Sequence, residues 1–143
     1  MININISLLI KSFVVFKFFL KYLYYVKILV KDNIFNCKVV ANTDSIQKGM
    51  MGKKFDNNFD GMLFMMPEKK TQTFWMYNCI IPLDIIMIDG NVITKINHNC
   101  LPCNNEEDCE MFEGFGNIVL ELNGGTCKGL DIKEGDKIKT SMF

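Results

Sequence analysis

His98, Cys100, Cys103 and Cys109 place one imidazole and three thiols within a short stretch of chain. Such soft nitrogen and sulfur donors suit Zn²⁺ or Cu(I), and the Cys-x-x-Cys spacing of Cys100 and Cys103 lets two sulfurs reach one ion. No second Cys-x-x-Cys follows and the step from 103 to 109 is not a zinc-finger interval, so unpaired thiols stand beside a metal or thiol-redox loop as readings. Apart from zinc or copper here, no cofactor is expected. A second group lies between Trp75 and Asp84. The only tryptophan is followed by an amide, Asn78, and a carboxylate, Asp84, in a segment that must bend at Pro82. If Asn78 and Asp84 face one cavity, they can orient a small polar ligand while Met51, Met62, Phe64 and Trp75 line it. The competing reading makes the apolar four core residues, with Asn78 and Asp84 holding the bend through backbone groups.

Support for catalysis is thin. His98 is the single histidine, and no serine stands in a nucleophile-elbow context. The glycines of Gly114-Phe115-Gly116 and Gly124-Gly125 lack the Lys-Ser or Lys-Thr of a phosphate-cradling loop. A small hydrolase or lyase with Asn78 and Asp84 in its pocket is the catalytic alternative to a binding module. Nucleic acid is not an expected partner. All sixteen basic residues are lysine, so the planar fork of arginine is missing, and residues 32–143 carry a net negative charge that repels phosphate backbones.

The elements that must position these residues fall in two parts. Residues 1–31 hold five lysines and no acid. The charge-free runs are shorter than the roughly 18 residues of a spanning helix, and no small-residue cleavage site follows a basic start. Wound as a helix, Lys17, Lys21, Lys27 and Lys31 gather on one side, which predicts a cationic leader helix over 1–32 lying on a membrane surface. β-branched and aromatic residues permit a strand there as well. Residues 33–143 then read as a single domain of short apolar runs separated by Asn, Asp and Gly. The alternation from Phe35 to Ala41 predicts a strand, and Thr43 or Asp44 caps a short helix that Gly52 ends. Pro67 divides the run at Met62–Met66 from that at Thr71–Met76. Asp89-Gly90-Asn91 joins two antiparallel strands, and residues 97–116 form a long loop. The expected fold is mainly β: a compact sandwich or distorted barrel of six or seven short, mostly antiparallel strands with one or two short helices.

Several segments, taken in order, resemble the DUF192 family, also called UPF0127, whose biochemical role is unsettled. Its Gly-Leu-Met-x-Arg resembles Gly49-Met50-Met51-Gly52-Lys53, and its Gly-Met-Leu-Phe resembles Gly61-Met62-Leu63-Phe64. The longest match sets its Phe-Trp-Met-Lys-Asn-Thr-x-Ile-Pro-Leu-Asp beside Phe74 through Asp84. Its Pro-Pro-Cys and later Cys resemble Leu101-Pro102-Cys103 and Cys109, and its Val-Leu-Glu-Leu resembles Val119 to Leu122. Lys53 replaces the family's usual Arg and Cys79 its Thr. The resemblance implies a mostly β fold and a disulfide between Cys103 and Cys109, worth about 2–3 kcal/mol in an oxidising compartment. Many members carry a leader, which implies a membrane-associated or envelope location, with the cytoplasm as the alternative. The expected function is a non-enzymatic module that binds a small molecule or a protein at or near a membrane.

Overall fold

The computed structural model describes residues 24–141. Seven strands and two short helices run in the order β1 (Tyr25–Val30), β2 (Asn33–Val40), α1 (Thr43–Lys48), β3 (Gly61–Phe74), β4 (Leu83–Asp89), β5 (Val92–Cys100), β6 (Phe112–Asn123), α2 (Thr126–Gly129) and β7 (Ile138–Ser141). They form one sheet in the order β5-β4-β6-β3-β2-β1-β7. β2 and β3 are parallel, and the other pairings are antiparallel. A two-sheet sandwich is thereby replaced by a single mixed sheet that curls into a half-barrel. Its edge strands approach at one end, where Val92 bridges Lys137, the Ile93 N–H donates to Asp136 O (2.9 Å) and the Ile138 N–H donates to Asn91 O (2.8 Å).

The curl separates two apolar cores. Inside it, Ile28, Phe35, Leu63, Ile86, Ile93, Leu120 and Ile138 bring one or more residues from each strand into contact. On the outer face, Met62, Phe64, Leu83, Ile85, Met87 and Val119 pack beneath Met50, Met76 and Cys79 from the connecting segments. Strand residues alternate between these cores, so the central strands are covered on both sides. β4 is accordingly buried at every position from Leu83 to Ile88.

The cationic leader helix does not extend to residue 32. Tyr25–Val30 is a strand between β2 and β7, with Ile28 and Val30 buried and Lys27 exposed, a period of two and not of 3.6. The composition change at Lys31-Asp32 marks the β1–β2 turn, where Lys31 has φ +53°. The remainder of the leader, residues 1–23, lies outside the described residues, and no helix among those described is long and apolar enough to cross a membrane. Two further boundaries differ. Asn42 caps α1, its Oδ1 accepting from Ser45 N–H at 2.9 Å, and Gly49 ends the helix. Pro67 does not end a strand: β3 runs through it with an irregular register between Met65 and Lys70. The β2 partnership has finished at Phe64, so the missing proline N–H removes no ladder bond on that side.

Candidate functional site

A cleft of about 210 Å³ opens on the outer face of the sheet, between the end of α1 and the segment that follows β3. Its walls are the Met50 and Met51 turn, Phe64, Met66 and Phe74 of β3, and Trp75 and Tyr77 beyond it. Aromatic packing fixes those walls. Phe64 and Phe74 meet edge to face at 5.0 Å between centroids, and Trp75 and Tyr77 lie 5.1 Å apart. Gly49 permits the close approach on one side. It sits at φ +41°, and a Cβ there would stand 3.3 Å from the Phe64 ring.

Glu121 lies at the base. On β6, Val119 and Glu121 turn to the outer face while Leu120 and Leu122 join the inner core, so the carboxyl is carried into the apolar layer. It is 4% exposed, and its Oε2 is buried with no hydrogen-bond partner among the described residues. Burial raises the Glu121 pKa to about 8, a rise that the positive charge of Lys53 only partly offsets. Glu121 is thus mainly a neutral acid at pH 7, able to donate one hydrogen bond and accept another. Cys79 lines the same cleft, its thiol pushed up to about 11 by burial and by Glu121. Lys53 donates to Gly49 O at 2.7 Å, and its own pKa is lowered by burial and by Lys38 and Lys48.

The residues anticipated for a ligand site divide between places. Met51, Phe64 and Trp75 line the cleft. Met62 is buried on the same face and lines a neighbouring cleft. Asn78 is exposed, at φ +55°, and its backbone ties two segments: its N–H donates to Cys103 O and its carbonyl accepts from Gly52 N–H, both at 2.9 Å. Asp84 shares the inner face of β4 with Ile86 and is fully buried. Its Oδ1 accepts from Asn99 N–H (2.7 Å) and Gly125 N–H (3.0 Å), and its Oδ2 from Cys127 N–H (2.7 Å). Asp84 and Asn78 therefore do not meet in one cavity.

Nor are the four soft donors assembled. Cys103 and Cys109 are joined by a disulfide, His98 is exposed, and the buried Cys100 thiol donates to Asn97 O at 3.3 Å. Burial raises the Cys100 pKa to about 12. No group of three or more potential metal ligands occurs among the described residues. The disulfide closes the loop before β6 and braces the cleft wall, because Cys103 N–H donates to Met76 O at 3.1 Å while Asn78 bonds back to Cys103.

Among the residues lining the cleft, Glu121 is the acid that the sequence did not place in a ligand site, whereas Lys53 beside it already stood out as the replacement for the family's usual Arg. The available signal was a carboxylate inside the apolar run Ile118–Leu122.

The fold and site define a small curled-sheet domain with one aromatic, methionine-lined cleft over a buried acid. The sequence profile of the DUF192 family, described as "Uncharacterized ACR", matches residues 26–140, and the chain belongs to that family. No curated protein matches it. Two crystal structures share the fold. One is a proposed transcription regulator from Sinorhizobium meliloti 1021, 25% identical with a TM-score of 0.71, the match covering 83% of this chain and 94% of that one. The other is a protein of unknown function from Novosphingobium aromaticivorans DSM 12444, 29% identical with a TM-score of 0.68, the match covering 80% and 83%.

Proposed function

We propose that the chain is a non-enzymatic binding module whose cleft takes a small, largely apolar ligand presenting one polar group to Glu121. The observation that carries this reading is the buried Glu121 carboxyl among the residues lining an apolar cleft, whose Oε2 has no hydrogen-bond partner among the described residues. Leaving such an atom unbonded costs on the order of 1–3 kcal/mol, which a ligand hydrogen bond would recover. The volume corresponds to about seven waters, enough for a short aliphatic or monocyclic molecule. A binding role suits the protonation states. Cys79 is a thiol and not the nucleophilic thiolate at neutral pH, and Glu121 is mainly a neutral acid. In this reading the apolar, lysine-bearing residues before β1 hold the module at or near a membrane surface.

Trp75, the single tryptophan, reports on the cleft. Titrating the full chain with straight-chain alcohols and amines of increasing length, while following Trp75 fluorescence, gives saturable binding that strengthens with chain length until the cleft is filled. Glu121→Met, which keeps the volume and removes the polar group, weakens the best probe by about tenfold, the worth of one buried hydrogen bond. Non-saturable responses throughout, or unchanged affinity in Glu121→Met, overturn the reading.

A further inference from the structure

Beyond the Glu121 cleft, on the other side of the Lys48–Gly49 corner, a second depression of about 380 Å³ is lined by Lys38 of β2, Lys48 of α1 and Lys53 of the following turn. We propose that this depression is a binding site for a phosphate group carried on an apolar body. Three cations from three separate segments converge on it. Neither Lys38 nor Lys48 makes an ion pair among the described residues, and Lys53 spends one hydrogen bond on the Gly49 carbonyl. Their mutual proximity is felt, since Lys38 and Lys48 both disfavour the charged form of Lys53. The groups that favour it, Cys79 and Glu121, are held towards their protonated forms at neutral pH and supply little countercharge. An anion placed among the three lysines relieves that repulsion.

The surroundings narrow the anion. The Asn42 side chain uses its oxygen to cap α1 at Ser45 N–H, which leaves its amide N–H₂ for an oxyanion at the rim. Three ammonium groups and an amide outnumber the two oxygens and single charge of a carboxylate, whereas a phosphate supplies more oxygens and, as a monoester, nearly two charges. Lysine is suited to phosphate as a point charge. Val40 and Met62 form an apolar floor beneath the cationic rim, so the group attached to phosphorus meets hydrocarbon. Tyr24, where the chain enters the domain, stands at the same rim. A phosphate bearing an apolar body is either a soluble organic phosphate or a phospholipid headgroup.

The test uses the full chain in a maltoside detergent, titrated by calorimetry with inorganic phosphate and separately with dihexanoyl phosphatidylglycerol, a lipid too short-chained to form vesicles. Lys38→Gln and Lys53→Gln are compared with Lys128→Gln, an exposed lysine of α2 outside the depression that controls for overall charge. Unchanged circular dichroism establishes that each variant folds. Saturable phosphate binding, weakened about tenfold in Lys38→Gln and Lys53→Gln but not in Lys128→Gln, supports the site and a soluble ligand. Binding of the short-chain lipid with that same pattern, without binding of free phosphate, supports it with a lipid as the source. Equal weakening by all three substitutions, or none by Lys38→Gln and Lys53→Gln, overturns it. Lys38 does not line the Glu121 cleft, so this outcome is independent of the alcohol and amine titration.

Discussion

Lys53 and Glu121 act on each other's charge without forming an ion pair: Lys53 Nζ is bonded to Gly49 O at 2.7 Å, and Glu121 Oε2 has no partner among the described residues. The two residues fall in the segments that resemble the family's Gly-Leu-Met-x-Arg and Val-Leu-Glu-Leu. A planar guanidinium at position 53 would project two parallel donors, where lysine projects one point charge. The buried acid therefore keeps its proton and the cleft keeps an unspent polar atom.

Glu121 makes stability depend on pH in a defined direction. Its pKa is raised from the ordinary carboxylate value to about 8, so between those values the folded chain holds a proton that the unfolded chain has released. The associated stability is fully present below about pH 4.5 and falls as pH rises to about 8, above which this contribution is lost. Glu121→Gln removes that decline. Urea unfolding at pH 5, 7 and 9 is expected to show the variant gaining on the parent by a few kcal/mol across the series, with most of the gain by pH 8. Parallel pH profiles would mean that the carboxyl is solvated in solution.

Asp84 supports the fold, not the cleft. Its two oxygens satisfy three backbone donors from the ends of β5 and the turn into α2. Asp84→Ala leaves those donors buried without partners and is expected to lower unfolding free energy by about 3–5 kcal/mol. Asp84→Asn replaces one acceptor by a donor facing N–H groups and costs a smaller part of this. Urea midpoints give the ranking, and whatever fraction of Asp84→Asn remains folded should bind the alcohol and amine probes with parental affinity.

The mainly β character and the β4–β5 hairpin were legible because turn chemistry is local: Gly90 stands at φ +63°, where Asp89-Gly90-Asn91 places it. The single curled sheet was not, because the order of strands depends on pairings between distant segments such as β3 with β6. β1 was hidden by its own composition, since an apolar run with spaced lysines fits a period of 3.6 as readily as one of two. Glu121 was hidden by a different assumption. Alternation normally sends a strand's polar residue to solvent, but here the outer face is itself covered by α1 and the Trp75–Cys79 segment, so the alternate position is a second interior.

The Cys103–Cys109 bridge carries its consequence into the cleft wall. Replacing both cysteines by serine frees the loop and is expected to cost about 2–3 kcal/mol in chemical denaturation. Because Cys103 exchanges backbone hydrogen bonds with the Met76–Asn78 segment, the Trp75 and Tyr77 wall loosens with it. Trp75 emission should shift towards that of a solvated indole in the double variant, and also in the parent chain once a reductant has opened the bridge. An unchanged spectrum would show that aromatic packing alone holds the wall.

The place of β1 sets where the domain starts. Among the described strands β7 has β1 as its ladder partner, joined to the β5 side by the Ile138–Asn91 hydrogen bond and the neighbouring Val92–Lys137 bridge, and Lys31, in the β1–β2 turn, lies 3.4 Å from Asp136 just before β7. A chain beginning at Asp32 loses β1, buried Ile28 and Val30, and the partner of β7 at once, which opens the inner core along its edge. A chain beginning at Tyr24 keeps all of these. We expect the longer form to give a dispersed amide spectrum with one cooperative urea transition, and the shorter form to lose both. The same pair separates folding from membrane association: residues 1–23 should confer sedimentation with anionic vesicles on the full chain, beyond any binding by the folded form that begins at Tyr24. Equal sedimentation of those two would assign the association to the folded domain and its lysine-lined depression.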